Sequence, residues 1–338
     1  MRFCGLFLLL FAVATDPLSA APRVSRHVAM IAKVRSSAPF SMYHAGWLCG
    51  SSGGCVLSLY ATMPTQQKVV DLNVPSGISF TSVISNLAVG GQELFANDGT
   101  KVTGFRLGDI APIARFQDSG TIMAASASDT LYIAHAGGIN VYLPGTSQPS
   151  RTITDGVTNV TALAIGKNGR ELFVSNGNNI VVYPVNGQTA LRTITSGIND
   201  AQLLAFDSLG RLVVYNSGDR SITIYPVNGV APVKTITAVL QGSALAIGPS
   251  NTIYVVRADA NVVDEYDREG PTLSREIAHF AQTPELPWVD DQDTLYIMND
   301  SHRPSVSTYP SKSTKPSSRW RIPSESCAPS AFVAGTVW

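Results

Sequence analysis

Short apolar runs recur along this chain, and turn-forming residues separate them. Residues 160–195 contain four such runs, which are Ala162 to Gly166, Glu171 to Ser175, Ile180 to Tyr183 and Leu191 to Thr195. They are rich in Val, Ile, Tyr and Thr, which favour strands. The segments 167–169 and 176–178 contain Asn and Gly, which are typical of tight hairpins. No segment has a sustained helical period, so the pattern predicts an all-β chain.

The four-strand pattern repeats along the sequence. Residues 160–195 and 201–237 share the string YPVNG and end in RTIT or KTIT. An aromatic residue in the third strand marks each repeat, at Tyr60, Phe105, Tyr142, Tyr183, Tyr225, Tyr266 and Tyr309. Successive markers are 45, 37, 41, 42, 41 and 43 residues apart. Four strands at this period are typical of propeller blades. We therefore expect a seven-bladed β-propeller of four-stranded blades, with residues 38–338 as its single domain.

The first repeat lacks an obvious innermost strand of its own. The C-terminal stretch 328–335 resembles the inner strand at 242–248. We expect the C-terminal strand to fill the missing place and to close the ring. The alternative is that residues 28–34 fill it and leave the C-terminus outside.

One string carries a family resemblance. Residues 162–187, ALAIGKNGRELFVSNGNNIVVYPVNG, resemble the NHL-type repeats of secreted bacterial propellers. Asp207 matches the Asp with which the inner strand of that family often ends, whereas Gly166 and Gly248 depart from it. The similarity covers roughly residues 38–335. It implies a blade structure and says little about activity.

The N-terminal segment has the pattern of an export signal. Residues 1–20 contain one Arg, then an apolar run over 3–14, then small residues. Such a run is too short for a bilayer core, which needs roughly 20 residues, and it is typical of a cleaved signal peptide. We expect a secreted, periplasmic or cell-surface protein without a membrane span, with residues 21–37 as a short lead segment.

The cysteines fit an oxidising compartment. Cys4 lies in the predicted signal peptide, and Cys49 and Cys55 bracket the turn at 50–54. We expect Cys49 and Cys55 to form a disulfide, since exported proteins form such bonds. In the alternative, Cys327 joins one of them.

Charge narrows the class of partner. The chain has 24 Lys and Arg against 24 Asp and Glu, and 14% of its residues are charged, where about 25% is usual. Nucleic-acid binding needs a basic surplus or a clustered basic face, and the sequence has neither. We expect a monomer whose partner is an unidentified protein or a small polar ligand.

A regular series of polar residues precedes the inner strands. Its members lie 41 residues apart, at Asp118, Asn159, Asp200, Gln241 and Gln282. In a ring they would surround the mouth of the central channel, where they could bind a polar ligand or a cation such as calcium. The competing interpretation is that these residue types simply suit blade-joining turns.

An enzymatic alternative rests on propellers of the regucalcin and gluconolactonase type, which hold a divalent metal on their axis. Asn159, Asp200 and Glu285 are the candidates for such ligands. Residues 23–92 contain no Glu to match that family's first ligand. We predict no catalytic residue, and a non-catalytic binding scaffold is the main functional hypothesis.

Overall fold

The computed structural model describes residues 40–49, 55–63, 68–71, 86–97, 101–106, 112–118, 120, 122–237, 239, 242, 244–267, 273–278, 280, 283–290, 292–300, 305–321 and 331–336. All elements in these ranges are β-strands, as the apolar pattern predicts. Within the same ranges, no helix is long and apolar enough to cross a membrane.

Six blades each consist of four consecutive antiparallel strands, and the strands of a blade pair in chain order. The first three blades are blade I, with β4 (Asn86–Val89), β5 (Glu93–Asn97), β6 (Val102–Arg106) and β7 (Pro112–Phe116); blade II, with β8 (Ile122–Ala125), β9 (Leu131–His135), β10 (Gly138–Tyr142) and β11 (Arg151–Ile153); and blade III, with β12 (Ala162–Ile165), β13 (Glu171–Ser175), β14 (Ile180–Pro184) and β15 (Arg192–Ile194).

The other three continue the series along the chain. They are blade IV, with β16 (Ala201–Phe206), β17 (Leu212–Asn216), β18 (Ser221–Tyr225) and β19 (Lys234–Ile236); blade V, with β20 (Ala244–Ile247), β21 (Ile253–Arg257), β22 (Val262–Tyr266) and β23 (Leu273–Ile277); and blade VI, with β24 (Thr283–Val289), β25 (Leu295–Asp300), β26 (Ser305–Tyr309) and β27 (Ser318–Arg321). Six marker aromatics lie buried in the third strands of these blades.

A terminal sheet joins the two ends of the chain. It contains β1 (Phe40–Cys49), β2 (Cys55–Met63), β3 (Lys68–Asp71) and the C-terminal β28 (Ala331–Thr336). Strand β28 pairs antiparallel with β1, which is the neighbour expected for the C-terminal strand, and it also packs against β4 of blade I. The alternative segment 28–34 lies outside the described residues.

The predicted count of seven blades is wrong. The propeller has six blades of four consecutive strands, and the seventh marker, Tyr60, lies in the terminal sheet. The physical reason is that a marker aromatic indicates one strand and not a complete blade. The first repeat supplies only three strands, so its sheet takes its fourth strand from the opposite end of the chain.

Cys49 and Cys55 are the last register partners of the β1–β2 pair, at the end where the chain passes from one strand to the other. Their side chains and Cys327 lie outside the described residues, so the disulfide stays a prediction.

Apolar side chains of adjacent blades form the core. Tyr132 and Ile139 of blade II pack with Leu172 of blade III in one cluster. Phe173 of blade III and Val214 of blade IV belong to the next cluster. Successive side chains on a strand point to opposite faces of its sheet, so each blade has one apolar face toward each neighbour. The low proportion of charged residues follows from this double burial.

The chain path creates two rims with different connections. The linker face has the blade-joining segments and the hairpins between second and third strands. The hairpin face has the hairpins between first and second strands and the loops between third and fourth strands. Three members of the predicted polar series, Asp118, Asn159 and Asp200, belong to the linker face.

Candidate functional site

Asp118 of the predicted series is buried and already hydrogen-bonded. It is 6% exposed, and its Oδ1 accepts from the backbone N–H of Gly120 at 2.9 Å. Its Oδ2 accepts from Asn140 Nδ2 and from the Tyr142 hydroxyl, each at 2.8 Å. Burial, together with the Asp118 carboxylate, raises the pKa of Tyr142. These contacts join the start of blade II to its third strand.

Asp200 also bonds within its surroundings on the linker face. Gln202 Nε2 donates to its Oδ1 at 2.7 Å, and the Ser217 hydroxyl donates to its Oδ2. Its backbone is in the left-handed region at φ 52°, which Asp tolerates better than most residues. Asn159 is exposed on the same face.

The remaining predicted positions are less fully described. Gln241 and Gln282 lie outside the described residues, and Glu285 lies in β24 without a described side chain. Within the described part of the chain, no group of three or more His, Cys, Asp or Glu residues could hold a metal ion. The polar ring and its metal ligands therefore stay predictions.

Asparagines at the ends of second strands fasten the blade-joining turns. Asn216 Oδ1 accepts from the backbone N–H of Asn199, and its Nδ2 donates to the Gly197 carbonyl, both at 3.1 Å. Asn176 bonds the preceding turn in the same way, to Thr158 N–H at 3.1 Å and to the Gly156 carbonyl at 3.0 Å. The turns that contain Asn159 and Asp200 are thus held by the scaffold.

A cleft of about 290 Å³ opens on the hairpin face, between blades III and IV. Three segments wall it, which are the hairpins at 166–168 and 208–210 and the loop at 226–229. Phe173 and Phe206 form part of its lining, with ring centroids 5.0 Å apart in an edge-to-face arrangement. Small-molecule sites are concave and mostly apolar, with a few placed polar groups, and this cleft has that composition.

Charged side chains lie beside the two rings. Arg192 and Glu171 form a two-point ion pair, with N–O distances of 2.5 and 3.1 Å. The Arg192 guanidinium carbon lies 5.5 Å from the centroid of Phe173, within range of a cation–π contact. Lys167 Nζ crosses the blade interface and donates to the Ser208 carbonyl at 2.9 Å.

The hairpin rim between blades III and IV, which we call the open interface, lacks a side-chain bridge that three other pairs of blades have. In three blades, a residue in the left-handed conformation accepts, through its side-chain oxygen, from a backbone N–H in the hairpin of the preceding blade. These bridges are Asp129 to Gln92 N–H at 2.8 Å, Asn251 to Ser208 N–H at 2.7 Å and Asp293 to Ser250 N–H at 3.3 Å. Blade IV has Gly210 at this position, with φ 77°. Gly has no side chain to reach blade III.

Blade III also lacks the bridging residue, because Gly169 occupies its position. The interface between blades II and III is instead closed by a second device, which we term the Val185 lock. The Tyr132 hydroxyl donates to the Val185 carbonyl at 2.9 Å, and the Arg151 guanidinium donates to the same oxygen. Two donors from blade II thus hold the third-to-fourth-strand loop of blade III.

The equivalent residues at the open interface cannot form this lock. Phe173 has the same register as Tyr132, since each pairs with an Ala of its inner strand, but it has no hydroxyl. Arg192 is equivalent to Arg151 and bonds Glu171 instead. Both closing devices are therefore missing between blades III and IV.

Comparison of the chain with protein-family models and with curated proteins finds no match. The propeller arrangement stands on the structure, and the resemblance to NHL-type repeats stays a prediction.

Sequence reasoning missed the cleft, although its signal is in the repeats. Aligned copies have Gly210 where blades II, V and VI have Asp or Asn, and Phe173 where blade II has Tyr132. These differences can be interpreted only when the blade interfaces are known, because the residues concerned affect contacts between neighbouring repeats and not contacts within one repeat.

Proposed function

We propose that this protein is a non-catalytic binding scaffold that acts outside the cytoplasm, and that the cleft between blades III and IV is its ligand site. The observation that carries the proposal is the loss of both closing devices at one interface, where aromatic and charged side chains line the opening. A rigid scaffold with a variable site in its loops is the usual arrangement for binding.

The cleft is a better candidate than the predicted ring. The carboxylates of Asp118 and Asp200 are engaged by donors of the surrounding scaffold. A ligand on the linker face would compete with these bonds. In the cleft, by contrast, Leu209 and Val227 are 56% and 53% exposed, so a ligand can cover apolar surface that water now contacts.

Ligand-observed NMR with a mixed fragment library tests the binding site on the full chain. The key variant is Gly210→Asn, since a Cβ at Gly210 meets nothing nearer than Val227 Cγ2 at 3.8 Å and Asn tolerates positive φ. Its side chain would form the missing bridge and occupy the cleft. Gly169→Asn is the matched control, because Gly169 has φ 66° and nothing within 4 Å of an added Cβ.

We expect fragments that bind the wild type and Gly169→Asn to lose at least tenfold in affinity for Gly210→Asn, because the introduced side chain takes their place. Circular dichroism melts establish that each variant is folded. Equal fragment binding by folded Gly210→Asn and wild type would contradict the cleft as the site.

The export part of the proposal rests on the apolar run at residues 3–14. Expression of the full chain and of a form without residues 1–20, followed by cell fractionation, tests it. We expect only the full chain to leave the cytoplasm. Retention of both forms would contradict export.

A further inference from the structure

One positive charge in the cleft, that of Lys167, forms no ion pair with any carboxylate among the described residues. Among the described residues, Lys167 Nζ has only carbonyl partners, at Ser208 (2.9 Å) and Asp207 (3.5 Å). A carbonyl oxygen orients an ammonium group without neutralising it. An ammonium has three donors, so Lys167 retains a donor beyond these two contacts.

The other two charged side chains in the lining of the cleft pair with each other. Arg192 is matched by Glu171, and both side chains are largely buried at 16% and 13% exposure. The Asp207 carboxylate, on the hairpin of blade IV, bonds Arg211 Nε at 2.6 Å. The charge of Lys167 is therefore left over, and the cleft favours an anion.

The apolar part of the cleft lies beside this charge. The hairpin containing Lys167 and the hairpin containing Leu209 are both walls of the cleft, and Val227 lies on the third wall. Phe173 and Phe206 lie deeper, with only 4% of Phe173 exposed. A matching ligand has an apolar body for these side chains and one anionic group for Lys167.

We propose that the cleft binds a small monocarboxylate with an apolar or aromatic body, with Lys167 as the residue that selects the carboxylate. This inference rests on the proposed function of the cleft. The volume of about 290 Å³ lies near the lower end of ligand pockets, which start at about 300 Å³, so the body is small. The contact is a charge-assisted hydrogen bond, which is stronger than a neutral one.

Three probes of one shape test the ligand class on the full chain, namely 4-phenylbutyrate, 4-phenylbutyramide and 4-phenylbutylamine. We expect the carboxylate to bind about tenfold more tightly than the amide, consistent with the strength of charged hydrogen bonds, and the amine to bind most weakly. Added salt should reduce this preference, because it screens exposed charges.

Two lysine variants identify the selecting residue. Lys167→Met should remove the preference for carboxylate over amide and leave amide binding within about twofold, since the methylene groups of the side chain keep their packing. Lys315→Met is the matched control, because Lys315 is exposed on blade VI and its loss changes the net charge equally. It should leave the preference unchanged.

Different results would overturn the proposed ligand class and the proposed ligand site. Three results would overturn the ligand class alone. The first is equal binding of the carboxylate and the amide to the wild type, and the second is an unchanged preference for the carboxylate in Lys167→Met. The third is that none of the three probes binds, although other fragments bind the wild type and lose affinity for Gly210→Asn. Fragment binding that ignores Gly210→Asn would overturn the cleft itself.

Discussion

Blade III has a closed interface with blade II and an open one with blade IV, although all three blades derive from the same repeat. At the closed interface, Tyr132 and Arg151 both donate to the Val185 carbonyl. At the open interface, Phe173 lacks the hydroxyl and Arg192 bonds Glu171. The strands keep their register in both places. A few side chains therefore determine whether the hairpin rim between two blades is closed by hydrogen bonds or forms a cleft.

The comparison separates two kinds of position in the repeat. Buried apolar positions build the sheet stack and recur in every blade described in full. Positions at the hairpin rim vary with no change in the strands. Function can differ from blade to blade because rim residues can change without disturbing the packing of the core.

The largest effect should follow from breaking the ion pair at the open interface. Arg192→Ala leaves the Glu171 carboxylate, whose side chain is 13% exposed, without its cation. We expect the free energy of unfolding to fall by about 3 kcal/mol, as when one partner of a buried pair is removed. Arg151→Ala at the closed interface should cost only about 1.5 kcal/mol. Urea denaturation measures both.

A double variant supplies the control for this difference. Glu171→Thr with Arg192→Ala removes the stranded carboxylate and introduces the residue type that blade II has at Thr130. It should recover more than half of the lost stability. An Arg192→Ala variant no less stable than Arg151→Ala would contradict the role of the ion pair.

The next largest loss of stability should follow from removing the bridge between blades IV and V. Asn251→Gly removes the acceptor for Ser208 N–H and gives the interface between blades IV and V the Gly that the open one has. We expect a loss of about 1.5 kcal/mol, from one hydrogen bond and the added freedom of the unfolded chain. A thermal melt measures the loss, and an unchanged melting temperature would argue against the bridge as a closing device.

Exchanging Tyr and Phe at the two equivalent aromatic positions should change the free energy of unfolding less, and by a different amount at each position. Tyr132→Phe removes one donor from the Val185 lock and should cost about 1 kcal/mol. Phe173→Tyr adds a hydroxyl at an interface that has space for it, and should change stability by less than about 0.5 kcal/mol. Chemical denaturation of both variants measures the two changes. Equal losses of stability in the two variants would contradict this prediction.

The smallest effect depends on pH. Burial raises the pKa of Tyr132 above its ordinary value of 10.0, although Arg151 opposes the shift. A folded pKa above the unfolded one gives stability that is present below about pH 10 and is lost as the pH rises through the folded pKa. The stability difference between wild type and Tyr132→Phe should therefore shrink above pH 10. Urea titrations from pH 8 to 11 measure it, and a constant difference would contradict this account.

Much of the fold could be predicted from local pattern. The apolar runs and the Asn and Gly turns predict strands at Glu171–Ser175 and Ile180–Pro184, since each run is long enough for one strand and each turn tolerates a hairpin. The pairing of the C-terminal strand with β1 also followed from resemblance between segments. These features depend on residues within one repeat.

The number of blades and the site depend on contacts between repeats, which the pattern does not encode. Tyr60 resembles the other markers, yet its sheet needs a strand from the other end of the chain. Equal spacing predicts a ligand site at Asp118 and Asp200, whose side chains instead form hydrogen bonds with the scaffold. The cleft arises from an unequal position, Gly210, and only the packing of blade IV against blade III gives that position a consequence.

Isothermal titration of the tightest fragment from the library screen into wild type, Gly210→Asn and Gly169→Asn tests whether the cleft is the ligand site. We expect the dissociation constant to rise at least tenfold for Gly210→Asn and to stay within about twofold for Gly169→Asn, because a bound ligand and the asparagine side chain introduced by Gly210→Asn cannot share the cleft. Equal dissociation constants for the three folded proteins would contradict this expectation.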